Sequence, residues 1–192
     1  MNQSLIDKHR YINVEGNWYD SVYEQFGYDT KDVGIHVEEI YFSGFSSQGD
    51  GACFEGHVQN WELFLKSLGY DNEWLILHAR KHFVFRVRHS GRYYHENCTT
   101  FDWELPLPAD DSMFVNWFGL EDDEDGLRNQ VLVAVLDQYD AGTLVDKFTE
   151  AFKSHMRDLY KKLELDYDYY TSDEAVWETL VANEMTEEEE ID

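Results

Sequence analysis

The sequence predicts an α+β fold: an antiparallel sheet of about four strands with helices on one face, and a helical C-terminal half. Two observations carry the sheet. In "HFVFRVRHSGRYYHENCTTFDWELPLP", Phe83, Phe85 and Val87 alternate with Val84, Arg86 and Arg88, and Phe101, Trp103 and Leu105 alternate with Asp102 and Glu104. In "VEEIYFSGFSSQGDGACFEGHV", two β-rich runs flank a Ser/Gly segment. The third observation is the apolar stripe Leu144, Phe148, Phe152, His155, Leu159 and Leu163, which has the spacing of a long helix.

Each element follows from local pattern. Trp18, Val22 and Phe26 at i, i+4 and i+8 predict a short helix that Gly27 stops. "IHVEEIYFSGF" predicts a strand, and Asp50-Gly51 predicts the turn after it. Val58, Trp61, Leu65 and Leu68 share one face of a helix over 58–68, with Glu62 and Lys66 as an i, i+4 pair. "WLIL" fits either a strand or a buried helix. Ser90-Gly91 turns the hairpin, and Pro106 and Pro108 end its return strand. Leu127, Val131 and Val135 mark a helix to about Tyr139. Thr143 with Asp146, and Thr171 with Glu174, have the spacing of capping boxes, the second before a helix carrying Val176 and Leu180. A single domain over 1–185, followed by an acidic frayed tail over 186–192, is the organisation expected.

Composition narrows the class. The chain has 192 residues, 43% hydrophobic and 16% aromatic, enough for a packed core despite a net charge of −25. No run approaches the roughly 20 apolar residues that cross a bilayer, and the first residues lack a secretory layout. Two cysteines imply no disulfide framework, so a reduced, cytoplasmic protein is expected. Forty acids against fifteen bases would repel nucleic acid and anionic membranes, so neither is an expected partner.

Candidate chemistry is sparse. Cys53 as nucleophile, with His57 as base and Asp50 as orienter, is one arrangement to weigh against a structural hairpin, which we favour. No Lys-Ser or Lys-Thr follows the glycines, so the stretch is no phosphate loop. His78 and His82 are four apart, which suits zinc only on a helix, and the glutamate of a zinc protease is missing; strand or core histidines are expected. The run "EDDEDG" lacks calcium-loop spacing. No cofactor, metal or catalytic residue is assigned. Arg80, Lys81, Arg86, Arg88 and Arg92 form a basic island, and Arg86 with Arg88 could hold a phosphate.

The strings "IYFSGFSSQGDGACFEG" and "TSDEAVWETLVANE" resemble a family of small proteins of tailed bacteriophages and prophages, mostly hypothetical and some antitoxin-like. The resemblance spans residues 17 to 185 and leaves out the acidic tail. It implies a phage origin and a role in infection or host takeover, with no catalytic residues to transfer.

Charge supplies the rest. From Tyr93 to Leu127 there are ten acids and no Lys or Arg, and from Leu163 to Asp192 twelve acids and again none. Helix dipoles use one or two carboxylates each, so this excess points to a partner. Duplex DNA carries one charge per about 1.7 Å, so the net charge matches roughly 42 Å, or about 12 base pairs. The leading expectation is a DNA mimic that inhibits a host DNA-binding defence or nucleic-acid-processing protein, of anti-restriction or anti-CRISPR type. Its contact surface would comprise Glu121, Asp122, Asp123, Glu124, Asp125, Glu164, Asp166, Asp168, Asp173, Glu174, Glu178 and Glu184. A homodimer would lengthen the acidic track. The alternatives are an antitoxin-like regulator that binds a protein through apolar surface, and a small enzyme using Cys53, His57 and Arg86.

Overall fold

The computed structural model describes residues 1–106 and 139–185. In chain order the elements are α1 (Gln3–Lys8), α2 (Asp20–Asp32), β1 (Ile35–Ser43), β2 (Gly51–Val58), α3 (Trp61–Ser67), α4 (Glu73–His82), β3 (Val84–His89), β4 (Thr99–Glu104), α5 (Ala141–Tyr170) and α6 (Asp173–Ala182). The fold is α+β, with one antiparallel sheet ordered β1-β2-β3-β4. Two compact units are present: Gly27–Arg157, and Met1–Phe26 together with the chain from Asp158 onward. No helix among the described residues is long and apolar enough to cross a membrane.

In the sheet unit, alternation sends Phe54, Phe85, Val87 and Phe101 to one face, where α5 packs on the three rings. Phe152 of α5 packs on Phe54, Phe64, Phe85 and Phe101 with ring centroids 5.4–6.2 Å apart. Phe148, one turn earlier, meets Trp61, Phe64 and Phe85. Full burial of each such ring contributes about 1.5–3 kcal/mol. Asn60 and Asn72 cap α3 and α4, each side-chain oxygen accepting two backbone N–H groups of the first turn.

The terminal unit closes around Leu5, Ile6, Val176 and Leu180. Arg10 fastens it by donating to the Thr171 carbonyl at 3.1 Å and to the Asp173 carboxylate. Asn13 joins the same seam, donating to the Tyr170 carbonyl at 3.1 Å and accepting from Thr179 Oγ1 at 2.7 Å. Nothing in the sequence pattern singled out residues 1–16 as a packing partner of α6.

Several local expectations are corrected. Helix α2 runs through Gly27 and ends at Asp32, because Gly34, at φ +82°, makes the exit turn instead. Val58 closes β2 rather than opening a helix; Asn60 sets the start of α3. "WLIL" lies within α4. The turn between β1 and β2 ends at Asp50, with Gly49 at φ +98° and Gly51 already in the strand. Ser90-Gly91 opens a longer connection that includes a 3₁₀ turn at Glu96–Cys98. Asp140, not Thr143, caps α5, accepting from Thr143 N at 2.8 Å. Ser172, not Thr171, caps α6. Met156 takes the buried stripe position expected of His155. The expected helix from Leu127 to Tyr139 lies outside the described residues, apart from its last residue.

Candidate functional site

The glycine-rich connection is a structural hairpin. Asp50 Oδ2 accepts from the backbone of Ser46 at 2.8 Å and Ser47 at 2.6 Å, which closes the loop. Cys53 is fully buried on β2, and burial first, then the charges of Cys98 and Glu55, push its thiol up to about 12. A thiol held neutral this way is a poor nucleophile. Four residues along one strand separate Cys53 from His57 by about 13 Å, beyond any hydrogen bond. The Cys53, His57 and Asp50 combination is therefore not assembled. A thiol-specific reagent at about pH 8 should titrate only Cys98 in the native chain, and Cys53 only after denaturant is added. Two equally fast thiols in the folded protein would contradict this burial.

On the opposite face of the sheet, the end around His57 and Arg86 is polar. A bulge between Val37 and Glu39 makes Glu38 the extra residue of β1 and brings its carboxylate 2.8 Å from His57 Nδ1 and 3.9 Å from Arg86. His36 sets its ring edge-on to His57, centroids 5.2 Å apart. A side chain at Gly56, opposite the bulge, would meet the His36 carbonyl at 2.2 Å, so only glycine fits there. Arg88 pairs with Asp102 at 3.2 Å, and Arg80 binds Glu62. Three arginines of the basic island thus have carboxylate partners within the chain, Arg86 at the widest separation. Exposed pairs of this type contribute about 0–1 kcal/mol each. Period-2 alternation could not reveal Glu38, because a bulge breaks that period.

His78 and His82 lie one turn apart on α4, with rings 4.8 Å apart; both are helix rather than strand residues, and His78 is a core residue while His82 is half-buried. His78 Nε2 donates to the Pro106 carbonyl at 2.6 Å, and burial lowers its pKa. Among the described residues, no group of three His, Cys, Asp or Glu side chains could hold a metal ion.

The acidic candidates divide. Glu121, Asp122, Asp123, Glu124 and Asp125 lie outside the described residues. Glu164, Asp166, Asp168, Asp173, Glu174, Glu178 and Glu184 all belong to the terminal unit, on α5, on α6 or just after it. Two are neutralised locally: Glu164 accepts from Lys161 at 2.7 Å, and Asp173 binds Arg10. The hydrogen bond to Asp173, then the one to Asp7, raises the Arg10 pKa. Asp166, Glu174, Glu178 and Glu184 form no ion pair with a described residue. Glu174, Glu178 and Glu184 are exposed, and Glu184 follows α6 at φ 58°.

The charge is unequal between the units. Residues 1–26 and 158–185 carry twelve acids and four bases, whereas 27–106 and 139–157 carry fifteen acids and ten bases. Residues 18–173 match the model of a protein family described as a domain of unknown function, DUF8835. No curated protein and no solved structure matches the chain.

Proposed function

We propose that this chain, which belongs to the DUF8835 family, is a protein-binding inhibitor whose acidic terminal unit occupies the DNA site of a nucleic-acid-processing or defence protein. The observation that carries the proposal is the threefold excess of acids over bases in that unit, with Asp166, Glu174 and Glu178 left outside its ion pairs. A folded helix holds carboxylates at set spacings, so little conformational entropy is lost when they meet a row of cations. The sequence resemblance directs the proposal to a phage protein acting in the host cytoplasm, with the target in a host defence system.

The test is affinity capture from host lysate at about 50 mM and about 300 mM salt, with duplex DNA as competing eluant. Recovery of a DNA-binding protein that both salt and DNA displace supports mimicry. A partner indifferent to DNA would overturn it in favour of an antitoxin-like regulator, for which Leu165 and Val181, 54% and 49% exposed, offer apolar contact. The triple reversal Asp166→Lys, Glu174→Lys and Glu178→Lys should weaken capture at least tenfold at about 50 mM salt, with a much smaller effect at about 300 mM. Unchanged capture by a folded triple variant would remove these carboxylates from the interface.

A further inference from the structure

Strand pairing sets His36, His57, Arg86 and Asp102 in one row across the polar end of the sheet, one residue from each strand. Side chains opposed in this way on adjacent strands stand about 4.5–5.5 Å apart at Cβ. The β1 bulge then adds Glu38 to the row, and bulges commonly re-aim a side chain beside a functional site. Glu38 accepts from His57 Nδ1 at 2.8 Å, which fixes the tautomer and leaves Nε2 for another partner.

Most carboxylates of this face are matched within the chain. Asp102 binds Arg88 at 3.2 Å, Glu55 accepts from the His89 backbone N–H at 3.1 Å, and Glu39 accepts from the Tyr41 hydroxyl. Glu104, two residues along β4 from Asp102, forms no ion pair with a described residue. The donors of the row are less well matched. Arg86 stands 3.9 Å from Glu38, beyond hydrogen-bond length, and makes no hydrogen bond to a described residue. His57 Nε2 and the imidazole nitrogens of His36 likewise have no hydrogen-bond partner among the described residues. His36 is exposed, and the side chains of His57 and Arg86 are 31% and 42% exposed, so a ligand can reach all three.

We propose that Arg86, His57 and His36 bind a phosphate dianion, as the free ion or as the end group of a small monoester. The guanidinium fork grips two oxygens of such a group, and each protonated imidazole donates to a further one. Three cations against the single charge of Glu38 leave about two positive charges, close to what a phosphoryl group carries near neutral pH. A carboxylate ligand would use the fork and leave the rings unmet. Glu38 is a positioning residue, holding the His57 ring so that Nε2 faces the ligand. The site belongs to the sheet unit and does not depend on the inhibitor reading. A net charge of −25 opposes the uptake of any anion, so saturable binding has to come from these local donors.

The test titrates the full chain calorimetrically with inorganic phosphate, phenyl phosphate and sulfate at about 50 mM chloride, with the histidine Cε1–H resonances followed in parallel. Saturable binding that moves the His36 and His57 resonances is expected. Arg86→Gln should weaken it about tenfold or more, and Arg86→Lys less, since the charge stays while the fork is lost. Arg92→Gln is the control: it lies in the same basic island but outside the row, over the Tyr93 ring, and should change nothing. Each variant is compared only where its unfolding transition matches that of the parent chain. Sulfate remains a dianion throughout, so its affinity should fall as pH rises from about 6 to about 8 and imidazoles lose their protons. Tighter binding of phenyl phosphate than of inorganic phosphate identifies an ester as the ligand, and equal binding identifies the free ion; both uphold the site. No saturable binding, equal weakening by Arg86→Gln and Arg92→Gln, or a sulfate affinity indifferent to pH would overturn the proposal. None of those results would touch the lysate capture, which depends on carboxylates of the terminal unit.

Discussion

Truncating Phe152 to alanine should destabilise the sheet unit by about 3–5 kcal/mol, read as a lower midpoint in urea unfolding at unchanged slope. Phe152 is fully buried, and it is the ring where both layers meet: Phe54, Phe85 and Phe101 from three strands and Phe64 from α3. Removing it forfeits the transfer energy of the ring and leaves a cavity that four separate elements would have to close together. Phe152→Leu retains most of the volume and should cost far less, about 1–2 kcal/mol. A loss below about 1 kcal/mol for the alanine variant would mean that the rings repack freely and that Phe152 is not the centre of the core.

Gly34→Ala should be at least as severe, for a reason unrelated to hydrophobicity. At φ +82° an alanine is strained wherever it stands. Here the added carbon would also meet the Asn60 carbonyl oxygen at 2.2 Å and the Phe64 nitrogen at 2.9 Å, both backbone atoms that cannot rotate away. The Gly34 carbonyl meanwhile accepts from Gln59 at 2.9 Å and Asn60 at 3.0 Å, so any shift breaks the junction between the end of α2, β1 and the start of α3. Loss of more than about 3 kcal/mol, or failure to fold, is expected. Gly69→Ala serves as the control: its φ is also +82°, yet nothing lies within 4 Å of the added carbon, so only the conformational penalty of about 1 kcal/mol applies. Similar losses for the two variants would show that the close approach at Gly34 is unimportant.

These two positions show where sequence is legible and where it is not. Phe152 stood in an obvious helical stripe, because a stripe records which residues avoid water, and that preference is local to each side chain. Nothing in the sequence sets Gly34 apart from Gly27 as the helix stop, because composition does not report φ. The caps behaved similarly: Asp140 and Ser172 replaced Thr143 and Thr171 because a cap is defined by which backbone N–H groups its oxygen reaches, and several nearby residues carried suitable oxygens.

The candidate sites divide along the same line. Cys53, His57 and Asp50 are near in sequence, yet an extended strand carries neighbours apart rather than together, in keeping with the structural hairpin favoured for this stretch. Strand pairing instead joined His57 to Arg86, and a bulge added Glu38, which no spacing rule could have nominated. By itself the sequence determined the α+β class, the four strands, the apolar stripe of α5 and the large negative charge, since each is a sum or period of individual residue properties. Only the tertiary structure decided that Arg80, Arg86 and Arg88 of the basic island meet carboxylates of their own chain, that Cys53 is shut away, and that rings from residues 18–23 and 167–170 form one series. Those outcomes depend on which distant segments pack together, and that is set by the joint burial of many side chains rather than by any stretch read alone.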